Sequence, residues 1–386
     1  MRLLDDAEEL AFREEVRDFL RDLPPEIPSA QPFGYEHSRA IRELWTRTLA
    51  RRGWLVPHWT RAWGGRNWPP MFHYILTQEL CAHGCPEIDR IGTDLVGPIL
   101  QLVGSQAQQQ RYLPRILDGR EFWCQGFSEA GAGSDLALVR TAARREGDHY
   151  RVNGRKLWAT QAHEADMMFA LVKVNAGVSL QQGHTFLLID MHADGVTVRP
   201  IITIDGRHHV NEVALQDVCV PVANRVGEEG KGWSYARSIL GTERMGAAGI
   251  PHTRRDLGYL RELASRMRQD GHLISEEPLF RHRLAKLEIE VLALEFLLLR
   301  VLHATPGTER EALGCVLKLR GTQAYQRVSD LMMGVAGTRA TALVQEGTPS
   351  YEPSVAAAYL FRRSATIAGG TSEIQRNMIA ALALQM

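Results

Sequence analysis

The sequence lacks a net charge: lysine plus arginine and aspartate plus glutamate each number 45 in 386 residues. With no overall field, neither nucleic acid nor a membrane surface is expected as a partner. Long apolar runs are missing too. No stretch holds the roughly 18 to 20 apolar residues that cross a bilayer, and "VLALEFLLLRVL" is cut by Glu295 and Arg300. The start, "MRLLDDAEEL", turns acidic at once without the apolar core of a secretion signal, so a cytoplasmic protein is expected. Cysteine is scarce: Cys81, Cys85, Cys124, Cys219 and Cys315 are scattered and odd in number, which excludes a small disulfide framework and fits a reducing compartment. Cys81 and Cys85 can share a helix face, but His83 lies off it and no second Cys or His pair stands at a zinc-like spacing. No metal is expected.

What is present is the balance of a soluble globular protein, 45% apolar and 23% charged. The length exceeds what one compact core needs, so two or three domains are expected. Residues 7 to 21 read as an amphipathic helix, with Phe12, Val16, Phe19 and Leu20 on one stripe and Pro24 and Pro25 behind it. Further helical patterns run near 36 to 52, 70 to 84 and 106 to 118. From about 120 the period changes to short runs rich in Val, Ile, Leu and Phe: "MMFALVKV", "HTFLLIDM", "VTVRPI" and "NEVALQDVCVP". Asn153-Gly154 in "YRVNGRKLW" is the dipeptide of a two-residue hairpin turn. After "VGEEGKGW" helices return near 231 to 268, 277 to 304, 308 to 337 and 370 to 384, and Leu284, Leu287, Val291, Leu294 and Leu298 keep the spacing of a bundle helix. The order is helical over 1 to 119, β over 120 to 225 and helical over 226 to 386.

The densest cluster of unusual residues is "WCQGFSEAGAGSDL", Trp123 to Leu136. Gly126, Gly131 and Gly133 let a backbone pass close to a ligand, and Ser128 and Ser134 offer donors to an anion or a ring carbonyl. Taken alone, the stretch is as readily a plain turn as a ligand loop; it is neither a Walker loop nor a dinucleotide fingerprint.

Four segments, "WCQGFSEAGAGSDL", "NGRKLWATQAHEADM", "VGEEGKGW" and "IAGGTSEIQRNMIA", stand in the order and spacing of the acyl-CoA dehydrogenase family, and the chain resembles that family over almost its whole length. The resemblance implies an α+β fold with a helical N-terminal domain, a central antiparallel β domain and a C-terminal four-helix bundle. It implies FAD as cofactor, an acyl-CoA thioester as substrate, an electron-transfer flavoprotein as electron acceptor, and a homotetramer or a heterotetramer with a related subunit.

Position by position, the resemblance implies that Gln125, Phe127 and Ser128 line the flavin, that Ser134 lies by the pyrophosphate and the pantetheine, that Trp158 stacks on the isoalloxazine and that Thr160 bonds near the hydride-accepting nitrogen. Fixed donors around the ring would stabilise its reduced form. Thr371 and Glu373 match positions that touch FAD from the C-terminal region. By its own chemistry, Trp158 reads more readily as a core aromatic and Glu373 as a helix N-terminal carboxylate. Departures also stand out. Ala130 replaces a usual Pro, "GVAG" replaces a Gly-Gly turn near 334, and the Arg-x-x-Phe-Gly segment that reaches a neighbouring subunit's FAD is absent. Arg281 in "EEPLFRHRLAKL" is the candidate for its phosphate-pairing role.

The chemistry implied is removal of a proton next to the thioester while hydride leaves the adjoining carbon, which requires a carboxylate base. Many family members place it directly before the Gly-Thr of the last motif, where this chain has Gly369. The isovaleryl and long-chain members carry it eleven residues after the glycine of the "GKGW"-like turn, which from Gly232 lands on Glu243. Its helical neighbours Ile239, Leu240, Gly246 and Ala247 include no cation, an environment that desolvates a carboxylate and raises its pKa. Arg244 is expected to order the active-site wall, and Gly369 with Gly370 to leave room for a branched or ring-bearing acyl group. Two other readings compete: a non-catalytic subunit of a heteromeric acyl-CoA dehydrogenase of the steroid side-chain or dicarboxylic type, and a flavin oxidase on the same fold.

Overall fold

The computed structural model describes residues 6–28, 37–174, 183–305, 307–341 and 352–384; within these, the side chains of 238–245, 339, 341 and 352–354 lie outside the description. Helix α1 (Ala7–Arg21) begins at a capping box, Asp6 accepting from Glu9 N at 2.9 Å and Glu9 from Asp6 N at 2.8 Å, and buries Phe12, Val16, Phe19 and Leu20 as its stripe dictates. It packs on α3 (Pro70–His83), followed by α4 (Gly97–Val103) and α5 (Gln106–Leu117), with α2 (Arg39–Arg52) beside α5. A π-helical turn, Ile91–Val96, leads directly into α4; the sequence pattern had not marked this stretch as helical.

The central sheet has the order β6-β7-β3-β2-β4-β5-β8, with β1 on β4. Its strands are β1 (Trp123–Gly126), β2 (Ala142–Glu146), β3 (His149–Thr160), β4 (Met167–Lys173), β5 (His184–Asp190), β6 (Val196–Ile202), β7 (His208–Pro221) and β8 (Arg225–Val226). The sheet is antiparallel except at β4, which pairs in parallel with β1 and, through one residue, with β2. Met168, Ala170 and Val172 face a core shared with β3 and β7, while Met167, Phe169 and Leu171 face the large core under the helices. Burial on both faces explains why β4 and β5 read as unbroken apolar runs.

The hairpin expected at Asn153-Gly154 is a correction. The β2–β3 turn is made by Gly147-Asp148, where Glu146 pairs with His149 and Gly147 takes φ +66°. Asn153 and Gly154 lie inside β3 at a register shift against β7, and a Cβ on Gly154 would stand 2.4 Å from Thr141 Oγ1. Glycine is needed there for close approach rather than for turning.

The C-terminal part centres on α9 (Thr308–Ala336), packed by α6 (Gly232–Ala247), α7 (Ile250–Arg266), α8 (Pro278–His303), α10 (Glu352–Phe361) and α11 (Ser372–Ala383). The segment read as one helix over 231 to 268 is two, broken at Gly249 with φ +63°. Helix α10 was absent from the pattern because Val355 to Ala358 are all buried and show no period.

Candidate active site

The Gly-rich stretch leaves β1 with Gln125 half-buried in register with Phe169. The Phe127 ring is buried and stacks 5.4 Å from Phe186, so what Phe127 offers a ligand is its backbone. Glu129 and Ala132 exchange backbone bonds of 2.9 and 3.1 Å, closing a compact turn. Beyond it, a side chain added at Gly131 or Gly133 would meet nothing within 4 Å, and Ser134 is exposed. The turn therefore borders open space.

A buried ammonium holds this loop. Lys156 Nζ donates to Glu129 Oε1 at 2.8 Å, Leu171 O at 2.7 Å and Phe127 O at 3.1 Å, and burial pushes Lys156 down to about 8 against the pull of Glu129. Glu129 in turn accepts from Thr141 Oγ1 at 2.5 Å and from the backbone of Arg140 and Thr141; burial opposes its ionisation, but Lys156 and these donors hold its pKa below the usual value. The motif reading passed over Lys156 and Glu129. The signal was present, since Lys156 shares parity in β3 with buried Tyr150 and Val152.

Ser128 O accepts from Leu157 N at 2.9 Å, bringing the Gly-rich stretch alongside the second motif. At that point β3 bulges: Lys156 pairs with Val213 but Ala159 with Asn211, leaving Leu157 and Trp158 outside the ladder. Trp158 has φ +62° and 58% of its surface exposed. It is thus not a core aromatic. A left-handed, solvent-facing tryptophan on a bulge is costly without a ligand, and the ring suits stacking on a flat partner. Thr160 is exposed at the end of β3 opposite Val210, and the residue next to Val210 on β7, His209, packs edge-on against Phe361 at 5.0 Å.

That contact ties the end of α10 to the same end of the sheet. Gly369 and Gly370 have φ +63° and +88°, and their carbonyls accept from buried Gln375 Nε2 at 3.3 and 3.1 Å, with Lys318 Nζ 2.6 Å from Gly370 O. Thr371 caps α11, its hydroxyl accepting from Ile374 N at 3.3 Å. Glu373 is exposed in the first turn, its pKa held low by its own backbone N–H and by Thr371, as its helix-terminal reading implies. Arg281 is exposed on the first turn of α8, whose neighbours are α3, α7 and α9.

Glu243 and Arg244 fall on α6, and their side chains lie outside the described residues. Helix α6 packs against the π-helical turn Ile91–Val96, which also contacts β1. Asp89 fastens that turn to the strand, accepting from Ile91 N at 3.1 Å, Gly92 N at 3.2 Å and Trp123 N at 3.0 Å. Among the described residues no cluster of His, Cys, Asp and Glu is suited to a metal ion, and no helix is long and apolar enough to cross a membrane.

Comparison with known proteins agrees with this arrangement. Three family models match in succession: acyl-CoA dehydrogenase N-terminal domain over residues 6–120, middle domain over 124–218 and C-terminal domain over 230–384. The acyl-CoA dehydrogenase IpdE1 of Mycobacterium tuberculosis is 33% identical, with 98% of this chain and 97% of that protein covered. The ChsE4-ChsE5 complex from the same organism superposes with a TM-score of 0.86 at 28% identity, over 100% of this chain and 99% of the other. The Tcur3481-Tcur3483 steroid ACAD also gives 0.86, at 26% identity over 100% and 99%.

Proposed function

The chain belongs to the acyl-CoA dehydrogenase family, and from that premise we propose that it is an FAD-dependent enzyme forming a 2,3-enoyl-CoA, with electrons passed to an electron-transfer flavoprotein. The observation that carries the reading is the junction of Ser128 with the Trp158 bulge: donors, an exposed aromatic face and open space beside Gly131 and Gly133 meet at one end of the sheet. These residues fit a flat cofactor with a phosphate tail. FAD, when bound, supplies the hydride acceptor. Gln125, the Phe127 backbone, Ser128 and Thr160 present hydrogen-bonding groups to the ring, Trp158 covers it, and Ser134 serves the pyrophosphate and pantetheine. Thr371, Glu373 and Arg281 are assigned to the remainder of the cofactor.

Glu243 is assigned as the base that takes the proton next to the thioester, with Arg244 ordering the wall beside it. No carboxylate stands at Gly369; the Gly369-Gly370 turn, whose carbonyls accept from Gln375 and, at Gly370, from Lys318, is assigned to the acyl end, where the absent side chains suit a branched or ring-bearing group.

The test is the absorbance of purified protein followed by anaerobic titration with an acyl-CoA panel. A flavin spectrum bleached by a suitable thioester is expected; protein that takes up no FAD, alone or with a partner chain, refutes the reading. A second reading is favoured by the heteromeric neighbour ChsE4-ChsE5: a subunit that turns over only beside a related chain. Bleaching that appears only after the partner is added selects it.

A further inference from the structure

Resting on the dehydrogenase reading, we propose that the acyl group taken by this site carries an acceptor oxygen away from the thioester, a ring ketone or a carboxylate, and that Arg90 is the residue that recognises it. The π-helical turn after Arg90 lies between the two elements that matter, β1 with the start of the Gly-rich motif and α6 with Glu243. Such turns concentrate at functional sites because they displace a side chain from the regular helical register. Arg90 Nη1 stands 3.3 Å from where a Cβ on Gly246 would be. Gly246 is three residues past Glu243, hence on the same side of α6 about one turn away. A cation therefore borders the stretch of helix that carries the assigned base, at a place where glycine leaves α6 bare.

None of the residues three and four positions from Glu243 on α6 is a cation; Arg90 reaches that stretch from the start of the π-helical turn. Among the described residues two carboxylates face it, Asp94 at 3.6 Å, beyond hydrogen-bonding distance, and Glu87, whose acidity its charge helps to raise; the Arg90 side chain is 48% exposed. Asp94 is shared: its Oδ1 accepts from Thr93 Oγ1 at 2.9 Å and lies 3.8 Å from His58 Nε2. The guanidinium thus keeps several N–H donors for a ligand. Around it, His58 bonds Thr93 O at 3.2 Å, and the His73 ring sits 6.4 Å from that of His58. A plain hydrocarbon acyl group pressed against this cluster would strip water from donors and return nothing, whereas a ketone or carboxylate oxygen replaces that water. A carboxylate would accept two parallel bonds from the guanidinium, a ketone one.

The experiment uses the purified protein, with its partner chain if one is required, and three thioesters of one skeleton: cyclohexylpropanoyl-CoA, its ring ketone and its ring carboxylic acid. Two quantities are read: kcat/KM for anaerobic flavin reduction, and the dissociation constant of each corresponding enoyl-CoA product by calorimetry. At least one oxygenated thioester is expected to exceed the hydrocarbon by about tenfold or more in both, as a site built for a polar group discriminates. Arg90→Met should bring that ratio to about one, and Arg90→Lys should keep more of it for the carboxylate than for the ketone. Equal values for all three thioesters, or a ratio that survives Arg90→Met, overturns the proposal. Reduction by the hydrocarbon thioester without oxygen preference defeats only this inference; failure of every thioester, in a protein without flavin, defeats the dehydrogenase reading on which it rests.

Discussion

Lys156→Met removes the buried ammonium while keeping an unbranched chain of similar length. Three acceptors lose their donor: Glu129 Oε1, Leu171 O and Phe127 O. Breaking a buried ion pair from one side costs about 3–5 kcal/mol in all. Glu129 keeps its bonds from Thr141 and Arg140, which places the cost at the low end, about 3 kcal/mol. At about 2–4 °C per kcal/mol for a unit of this size, the melting midpoint should fall by about 6–12 °C. Because the same lysine holds the turn that carries Ser128 and Ser134, FAD retention on a desalting column should fall with it. Melts by circular dichroism and by flavin fluorescence separate the two effects. Adding Glu129→Gln to Lys156→Met should recover about 1 kcal/mol or more, since the unpaired charge is then gone. A single mutant that melts within 2 °C of wild type, by the same scale of about 2–4 °C per kcal/mol, and keeps its flavin would refute the reasoning.

Glu243→Gln should keep FAD and acyl-CoA while flavin reduction in stopped flow falls by about 10² to 10⁴, the usual worth of a positioned base; near wild-type reduction would mean that the base lies elsewhere. Gly369→Glu in that background should rescue partially, at a cost of about 1–2 kcal/mol from the left-handed backbone at φ +63°. Trp158→Gly should leave apoprotein stability within about 1 kcal/mol of wild type, since glycine accepts φ +62°, yet weaken FAD binding by about tenfold through the lost ring stacking, as fluorescence titration would show. His73 is pushed down to about 4, first by burial and then by His58. Its unfolded value is about 6.5, so its contribution is complete above that pH and drains away as the pH falls toward 4, amounting to about 2 kcal/mol after discounting for partial exposure. His73→Gln should flatten urea midpoints over that window; an unchanged slope contradicts the assignment.

The order of helical, β and helical parts was legible because each rests on local periodicity: the stripe of α1 and the spacing from Leu284 to Leu298 need only a core to face. The motif register also reached the residues now found along β1, the Trp158 bulge and the α11 cap, since these are short segments whose chemistry depends on residue type. What sequence could not decide were matters of parity and of partners distant in the chain. The Asn153-Gly154 pair has the composition of a turn, but only the approach of Thr141 shows that it is a strand interior where glycine relieves a clash. Phe127 belongs to a motif, yet its ring turns inward because Phe169 and Phe186, on β4 and β5, form the surface it covers. Trp158 reverses that pattern, since a shift in pairing with β7 pushes a large apolar residue into solvent. Lys156 finds Glu129 across 27 positions, and Arg90 reaches Gly246 across more than a hundred. Periodicity carries no information about such meetings, because they follow from how the helices and the sheet stack, and that stacking is fixed by the whole buried surface at once.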